Sequence, residues 1–434
     1  MKVLVVGSGG REHALAWRIA QSEHVQTVYV APGNAGTDAD PLLTNVPVKA
    51  TDLEGLLKFV RENGVDYTVV GPEAPLAAGI VDVFRKGGEK IFGPTQAAAQ
   101  LESSKDFAKA FMKRHGIPTA EYQTFTDDKA AREYILHHGA PIVVKADGLA
   151  AGKGVIVAMT VEEALKAVDD MLEGNSFGSA GSRVVIEDFL DGEEASFIVA
   201  CDGEHVIPMA TSQDHKRLLD HDKGPNTGGM GAYSPAPVVT PDVYQIVMEK
   251  VIRPVIDGMA SEGHPFTGFL YAGLMISHAA DGTPVVKVLE FNCRMGDPET
   301  QPIMSRLKSD LVYVMEHAVN GTLDKVELEW DRRIALGVVL AAAGYPENPV
   351  KGAIISGIPK ETENQIVFHA GTKLDSEGKP VTSGGRVLCV VGLADTMRMA
   401  QKTAYEAVEA IHFDGVQYRS DIGWRALKSY KTGS

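Results

Sequence analysis

Over its first hundred residues the chain alternates short apolar runs with longer mixed segments, and no other feature narrows its possible folds as sharply. Val3–Val6, Thr27–Val30, Tyr67–Val70 and Lys90–Phe92 read as strands, while Glu12–Gln21, Leu53–Glu62 and Ala77–Lys86 carry helical patterns. Strands separated by helices build a parallel α/β sheet, because each crossover helix covers a sheet face. The expectation is a Rossmann-like N-terminal domain over residues 1–103.

A chain of 434 residues exceeds one ordinary core, so further domains must follow. A helix from about Ser104 to Arg114 ends at His115-Gly116-Ile117-Pro118, a glycine stop followed by a proline breaker. Beyond it the order changes to a mixed α+β pattern. Ile142–Ala146 and Val155–Met159 flank a glycine-rich turn, a helix spans about Val161–Leu172, and Val184–Asp188 and Ser196–Cys201 read as strands. Asp214 to Pro235 is polar, glycine-rich and without convincing periodicity; loops of that length are usually functional. A helix at about Pro241–Glu262, a hairpin pairing Tyr271–Ser277 with Pro284–Phe291, and a helix around Ser305–Asn320 complete a second domain, 104–325, with a lid subdomain at about 121–186. Arg332–Ala343, Arg386–Gly392 and a helix at Thr396–Ile411 belong to a small C-terminal α+β domain, 326–434.

Composition removes several function classes. A formal charge of -15 argues against a nucleic-acid or anionic-membrane partner, either of which needs a broad basic surface. The three cysteines, Cys201, Cys293 and Cys389, are far apart and lack metal or redox spacing, which fits a reducing compartment. Met1–Gly7 reads as a buried first strand rather than a signal-peptide core, and no apolar run reaches membrane-helix length, so a cytoplasmic location is expected.

Four segments carry chemistry. Gly7-Ser8-Gly9-Gly10-Arg11-Glu12 follows a strand and opens a helix, where backbone N–H groups and the helix dipole can receive a phosphate; a tight turn without a ligand reads equally well. The dinucleotide fingerprint is incomplete, because Glu12 stands where Gly or Ala belongs and the second strand ends in Ala31-Pro32-Gly33. Lys145-Ala146-Asp147-Gly148-Leu149-Ala150-Ala151-Gly152-Lys153-Gly154 resembles a Walker loop but fails its spacing, and a strand follows where a helix should. Physically it places Lys145 on a strand as a fixed cation, with a hairpin whose backbone N–H groups can close over phosphate oxygens; a flexible surface hairpin is the lesser alternative, since it leaves the two lysines beside so many glycines unexplained. Val286, Val288, Glu290 and Asn292 fall on one face of a strand by its two-residue period, setting a carboxylate beside an amide oxygen as Mg²⁺ requires; taken alone, the pair reads equally well as a solvated strand end. Arg294 and Gly296-Asp297-Pro298-Glu299 follow at once. Val184–Leu190, with Asp191-Gly192-Glu193-Glu194, could offer backbone hydrogen bonds to adenine and a carboxylate to ribose.

In this order, Lys145, the glycine-rich hairpin, the Glu187 to Glu194 segment and the Glu290-x-Asn292 pair resemble an ATP-grasp ligase. More narrowly, Gly9-Gly10-Arg11-Glu12-His13-Ala14, Ala31-Pro32-Gly33-Asn34, Gly71-Pro72-Glu73-Ala74-Pro75, Gln213-Asp214-His215-Lys216, Gly224-Pro225-Asn226-Thr227-Gly228-Gly229-Met230-Gly231 and Asp297-Pro298-Glu299-Thr300-Gln301 resemble the phosphoribosylamine–glycine ligase family. The likeness runs from Met1 to about Trp424; Met295 stands where the family has an aromatic residue, and Tyr430–Ser434 matches nothing.

The resemblance implies ATP-grasp central domains and an ATP-dependent ligase of purine biosynthesis that joins glycine to 5-phospho-D-ribosylamine through glycyl phosphate. It implies that Lys105, Lys145, Gly148, Gly152, Lys153, Gly154, Glu187, Leu190 and Glu194 serve ATP, and that Glu290 with Asn292 holds Mg²⁺ or Mn²⁺. Arg294 and Asp214 would meet the two ends of glycine. Gly9, Gly10, Arg11, Glu12, Asn34 and Glu73 would line the phosphoribosylamine site, with Lys216, Asp297, Pro298 and Glu299 as further substrate contacts. A monomer acting only on small molecules is expected. Two rivals are an ATP-grasp ligase for another acid and amine, and a nucleotide-binding regulator without turnover.

Overall fold

The computed structural model describes residues 1–148, 154–173 and 183–432. Its N-terminal sheet is parallel and five-stranded, in the order Leu43–Asn45, Thr27–Pro32, Lys2–Gly7, Tyr67–Val70, Ile91–Phe92. Val3, Leu4, Val5 and Val6 are completely buried, as a strand covered on both faces must be. The three-residue edge strand Leu43–Asn45 is too short for its pattern to be read. The helix expected over Ala77–Lys86 is divided into Glu73–Ala77 and Ile80–Lys86, because Gly79 takes φ 93° between them.

Two antiparallel sheets follow. One joins Tyr122–Phe125, Val184–Asp188, Ile142–Ala146 and Val155–Ala158 in that order; the other joins Val206–Pro208, Glu193–Asp202, Thr267–His278 and Pro284–Asn292. The helix near Pro241–Glu262 is continuous but widens into a π turn at Met248–Ile252, which ends two residues before Pro254. That wider turn accommodates a residue with no N–H to donate. The helix expected over Ser305–Asn320 is two helices, Thr300–Arg306 and Leu311–Val319, the second capped by Asp310, whose side chain accepts from Val312 N.

The segment from Asp214 to Pro235, read from sequence as an aperiodic loop, contains short strands. Arg217–Leu219 pairs with Lys223–Asn226, while Gln213–Asp214 and Gly231–Ser234 join the C-terminal sheet beside Ile334–Ala341, Arg386–Ala394 and Gln365–His369. Strands of two to four residues have no periodicity of their own. Gly231–Ser234 exists because a strand a hundred residues later pairs with it, and Ala232 and Tyr233 are buried by that pairing.

A cleft between three sheets

The two antiparallel sheets of the middle segment face each other across a cavity of about 580 Å³, which also receives Asp214 and Arg386 from the C-terminal sheet and Arg11 and Glu73 from helices of the N-terminal segment. Lys145 enters it from Ile142–Ala146, held between neighbours at Val155 and Val185. Its ammonium lies 2.5 Å from Glu187 Oε1 and donates to the Leu289 carbonyl at 3.1 Å. Lys109, which sequence reasoning passed over, meets the other Glu187 oxygen at 2.6 Å and also donates to Thr119 Oγ1 at 2.7 Å. Burial pushes the Glu187 carboxyl up, but the two ammonium groups outweigh it and hold it below its ordinary value. The Glu187 carboxylate is thus engaged by two lysines, and Glu187 lines the cavity together with Leu190 and Glu194 of the same segment.

Lys105 is the first residue of the helix Lys105–Arg114, which Ser104 caps through Phe107 N. Its ammonium donates to the Gly148 carbonyl at 2.6 Å, so it reaches the start of the glycine hairpin. Burial lowers the Lys105 pKa, against the field of Glu290. Gly148 and Gly154 line the cavity; Gly152 and Lys153 lie outside the described residues.

The strand Pro284–Asn292 breaks the simple alternation expected of it. Val286 and Val288 pair with Ile276 and Leu274, but Glu290 pairs with Gly273, so Leu289 is an extra residue. A bulge of this kind re-aims the side chains beyond it. Phe291 and Cys293 continue the apolar face begun by Val286 and Val288, all four in one core, while Glu290 and Asn292 turn to the cavity. The reading that put Val286, Val288, Glu290 and Asn292 on one face is thus wrong, although Glu290 and Asn292 do share a face. The Asn292 amide, oriented by its hydrogen bonds, gives its nitrogen to Glu102 Oε2 at 3.3 Å and Phe291 O at 3.0 Å, turning its oxygen elsewhere. A buried carboxylate beside an amide oxygen is a hard donor pair suited to a divalent cation. Burial raises the Glu290 carboxyl, but Lys216, Lys145, Lys105 and Arg294 together bring it below its usual value, which keeps it ionised.

Arg294 lies 2.9 Å from Glu102 and 3.5 Å from Glu73. Burial opposes its charge, yet Glu102, Glu73, Glu290 and Glu299 hold it firmly protonated. Glu102 also accepts from Cys293 N at 2.8 Å; it too escaped the sequence reading. Across the cavity, Lys216 is 3.2 Å from Glu194. Asp214 is pushed up to about 7, first by burial and then by Glu299, Glu194 and Glu290, against the opposing Lys216. Tyr271 OH and Ser196 Oγ are 2.7 Å apart, and Ser196 donates to Glu299 at 3.3 Å.

The N-terminal residues separate into two groups. Arg11 and Glu73 line the cavity; Gly9 and Gly10, where the helix Gly10–Ala20 begins, pack against Asp297 and Gln301. Glu12 sits behind them, 3% exposed, pairing with Arg11 at 2.8 Å and filling the space beside Gly7 and Gly71. Asn34 is corrected outright. Its oxygen caps the helix Ala35–Ala39 and its nitrogen donates to Ser8 O and His369 O, so the amide is fully used away from the cavity. Pro298 packs beneath Gly229, leaving Asp297 and Glu299 on the wall. Arg386, unforeseen because it comes from the C-terminal sheet, donates to Gly228 O and Asp297 O, both at 2.7 Å.

This architecture recurs in solved structures. A biotin carboxylase–β,γ-ATP complex from Campylobacter jejuni matches with a TM-score of 0.72, covering 96% of this chain and 92% of that one at 16% identity, a likeness of fold. Residues 103–300 match the family model for the ATP-grasp (A) domain of phosphoribosylglycinamide synthetase, and residues 1–102 and 335–425 match its N and C domains. Fold and cleft are those of an ATP-grasp ligase, a class that uses ATP with divalent metal ions. Phosphoribosylamine–glycine ligases from Ralstonia nicotianae and Escherichia coli K12 are 68% and 62% identical, each over 99% of this chain and over 100% and 99% of their own lengths. The crystal structure of phosphoribosylamine–glycine ligase from Thermotoga maritima matches with a TM-score of 0.85 at 37% identity, covering 97% of this chain and 100% of that one. The chain belongs to the phosphoribosylamine–glycine ligase family. Among the described residues no helix is long and apolar enough to cross a membrane.

Proposed function

We propose that the chain joins glycine to 5-phospho-D-ribosylamine through glycyl phosphate. A glycine carboxylate oxygen attacks the γ-phosphorus of ATP and ADP leaves. The amine of phosphoribosylamine then attacks the acyl carbon, losing a proton as phosphate departs, and the product is glycinamide ribonucleotide. An acyl phosphate needs its charge neutralised and water excluded more than it needs a nucleophilic side chain.

The observation that carries this reading is the opposition, within one cavity, of Lys105 and Lys145 to the Glu290–Asn292 pair, with Arg294, Arg11 and Arg386 beyond. Lys105, Lys145 and the backbone of Gly148 and Gly154 serve the phosphates. Leu190 and Glu194 serve the base and ribose, and Glu187 positions Lys145. Glu290 and Asn292 supply oxygen ligands to Mg²⁺ or Mn²⁺, which when bound neutralises phosphate charge. Arg294 and Asp214 take the carboxylate and ammonium of glycine, while Gly9, Gly10, Arg11, Glu73, Asp297 and Arg386 receive phosphoribosylamine.

The division into 1–103, 104–325 with a lid at about 121–186, and 326–434 fits this assignment, with Gln213–Ser234 reaching across to the last unit. Release of ADP from ATP, measured with glycine and freshly generated phosphoribosylamine separately and together, tests the reading. Turnover is expected only with both; ADP release that did not depend on the amine would overturn it.

A further inference from the structure

The hairpin formed by Arg217–Leu219 and Lys223–Asn226 carries two consecutive non-glycine residues in the left-handed region, His221 at φ 61° and Asp222 at φ 55°. Such residues cost free energy and persist only where surrounding contacts over-determine them. Here those contacts come from two hundred residues further along. Arg419 is fully buried and its guanidinium grips Asp421 through Nε at 2.8 Å and Nη2 at 2.9 Å. Its Nη1 donates to Asp222 Oδ1 at 2.9 Å and the Arg217 carbonyl at 3.3 Å. Asp421 in turn accepts from His221 N at 2.9 Å, and Ser420 N donates to Asp220 at 2.8 Å. One planar cation thus ties both sides of the turn to the C-terminal segment.

The turn is part of the cleft. Arg217, Asp222, Asn226, Thr227 and Gly228 line the cavity, and so does Arg425, which Asp222 holds through its second oxygen at 2.7 Å. Beyond the hairpin, Gly228 accepts from Arg386, the residue that also engages Asp297. The turn therefore orders the wall that carries Arg425, Gly228 and Arg386, remote in the chain from Lys105 and Lys145. In the reading above Lys105 and Lys145 serve the ATP phosphates while Arg11 and Arg386 receive the phosphorylated sugar, so a wall that carries Arg386 and Arg425 falls to the sugar.

We propose that Arg419 is a positioning residue: through Asp222 and Asp421 it holds the hairpin turn in its left-handed conformation and so presents Arg425 and Gly228 to phosphoribosylamine. This rests on the proposed function. Arg419→Lys keeps the charge but cannot span both carboxylates and a carbonyl. Steady-state kinetics should show KM for phosphoribosylamine raised about tenfold, with KM for ATP within about twofold of the parent. Asp222→Asn, which keeps the shape and removes the charge between Arg419 and Arg425, should do the same, so the test survives if one variant folds poorly. The decisive arm is rescue. His221 is exposed, and His221→Gly in the Arg419→Lys background relaxes the turn without restoring the ion pairs. It should recover at least about a third of the lost affinity.

A fall in Tm with KM for phosphoribosylamine unchanged would reduce Arg419 to a structural residue and overturn the proposal. So would a parallel rise in KM for ATP, or the absence of rescue. Parent enzyme that shows no phosphoribosylamine-dependent turnover would instead overturn the underlying reading, which separates the two failures.

Discussion

Lys145 donates to the carbonyl of Leu289 at 3.1 Å, and Leu289 is the extra residue of the bulge that swings Glu290 and Asn292 into the cleft. Lys145 and the Glu290–Asn292 pair, proposed to meet the phosphates and the metal ion, are thereby fixed to one another, although they sit on different sheets. A cation held in place before reaction needs no reorganisation as charge develops.

Lys145→Met should lower kcat about 10²- to 10³-fold while the far-UV circular dichroism stays native, since Lys109 continues to pair with Glu187. ADP release under saturating substrates checks it. Near-normal turnover would remove Lys145 from the chemistry.

Glu290→Gln should raise the divalent-ion concentration for half-maximal activity about tenfold or more, because one charged ligand becomes a weak neutral one. Titrating Mg²⁺ and Mn²⁺ separately, with nucleotide held saturating, measures this and also shows which ion serves better. An unchanged titration would mean that the ion is held elsewhere.

Glu187 makes stability depend on pH in a defined direction. Burial favours its neutral form, but Lys145 and Lys109 win, so the folded carboxyl lies below the usual 4.5. Stability from a depressed carboxyl is present above the unfolded value and is lost as pH falls through the folded one. Thermal melts of Glu187→Gln should therefore be flatter than the parent's below about pH 4.5. At pH 7 the variant should be less stable by about 3 kcal/mol, since two buried ammonium groups lose their counter-ion. Parallel melting profiles across this range would contradict the assignment.

Asp214 titrates close to neutrality, with its carboxyl pushed up to about 7. If it receives the ammonium group of glycine it must be ionised, so kcat/KM for glycine should fall about tenfold per pH unit below that value. Asp214→Asn should lack this limb and saturate poorly with glycine. A carboxyl raised in the fold lends stability that is lost as pH rises through its folded value, so the same variant should melt higher than the parent at pH 8. An acidic limb that survives in Asp214→Asn would assign the titration to another group.

Much was legible because the signals are local. The apolar runs of Val3–Val6 and Tyr67–Val70 announce buried parallel strands, and Lys145, read from its place on an apolar strand before a glycine-rich turn, does sit on a strand that lines the cavity. The bulge was legible in principle: apolar residues move from even positions at Val286 and Val288 to odd ones at Phe291 and Cys293, a parity change that a strict two-residue period conceals. Asn34 was misread because a short polar residue after Pro-Gly serves a helix cap or a ligand equally well. Only the burial of its partners distinguishes the two.

The sequence by itself determined the longer strands and most of the helices, and in what order their polar ends arrive, because these follow from periodicity and glycine placement within a few residues; short strands such as Gly231–Ser234 waited on their distant partners. Tertiary structure alone decided that Glu187 would lie between Lys145 and Lys109, that Arg386 would reach Asp297, and that Arg419 would hold a turn two hundred residues earlier. Those pairings arise when separate elements are buried together and each charge must find a partner, and no local pattern records which partner that is.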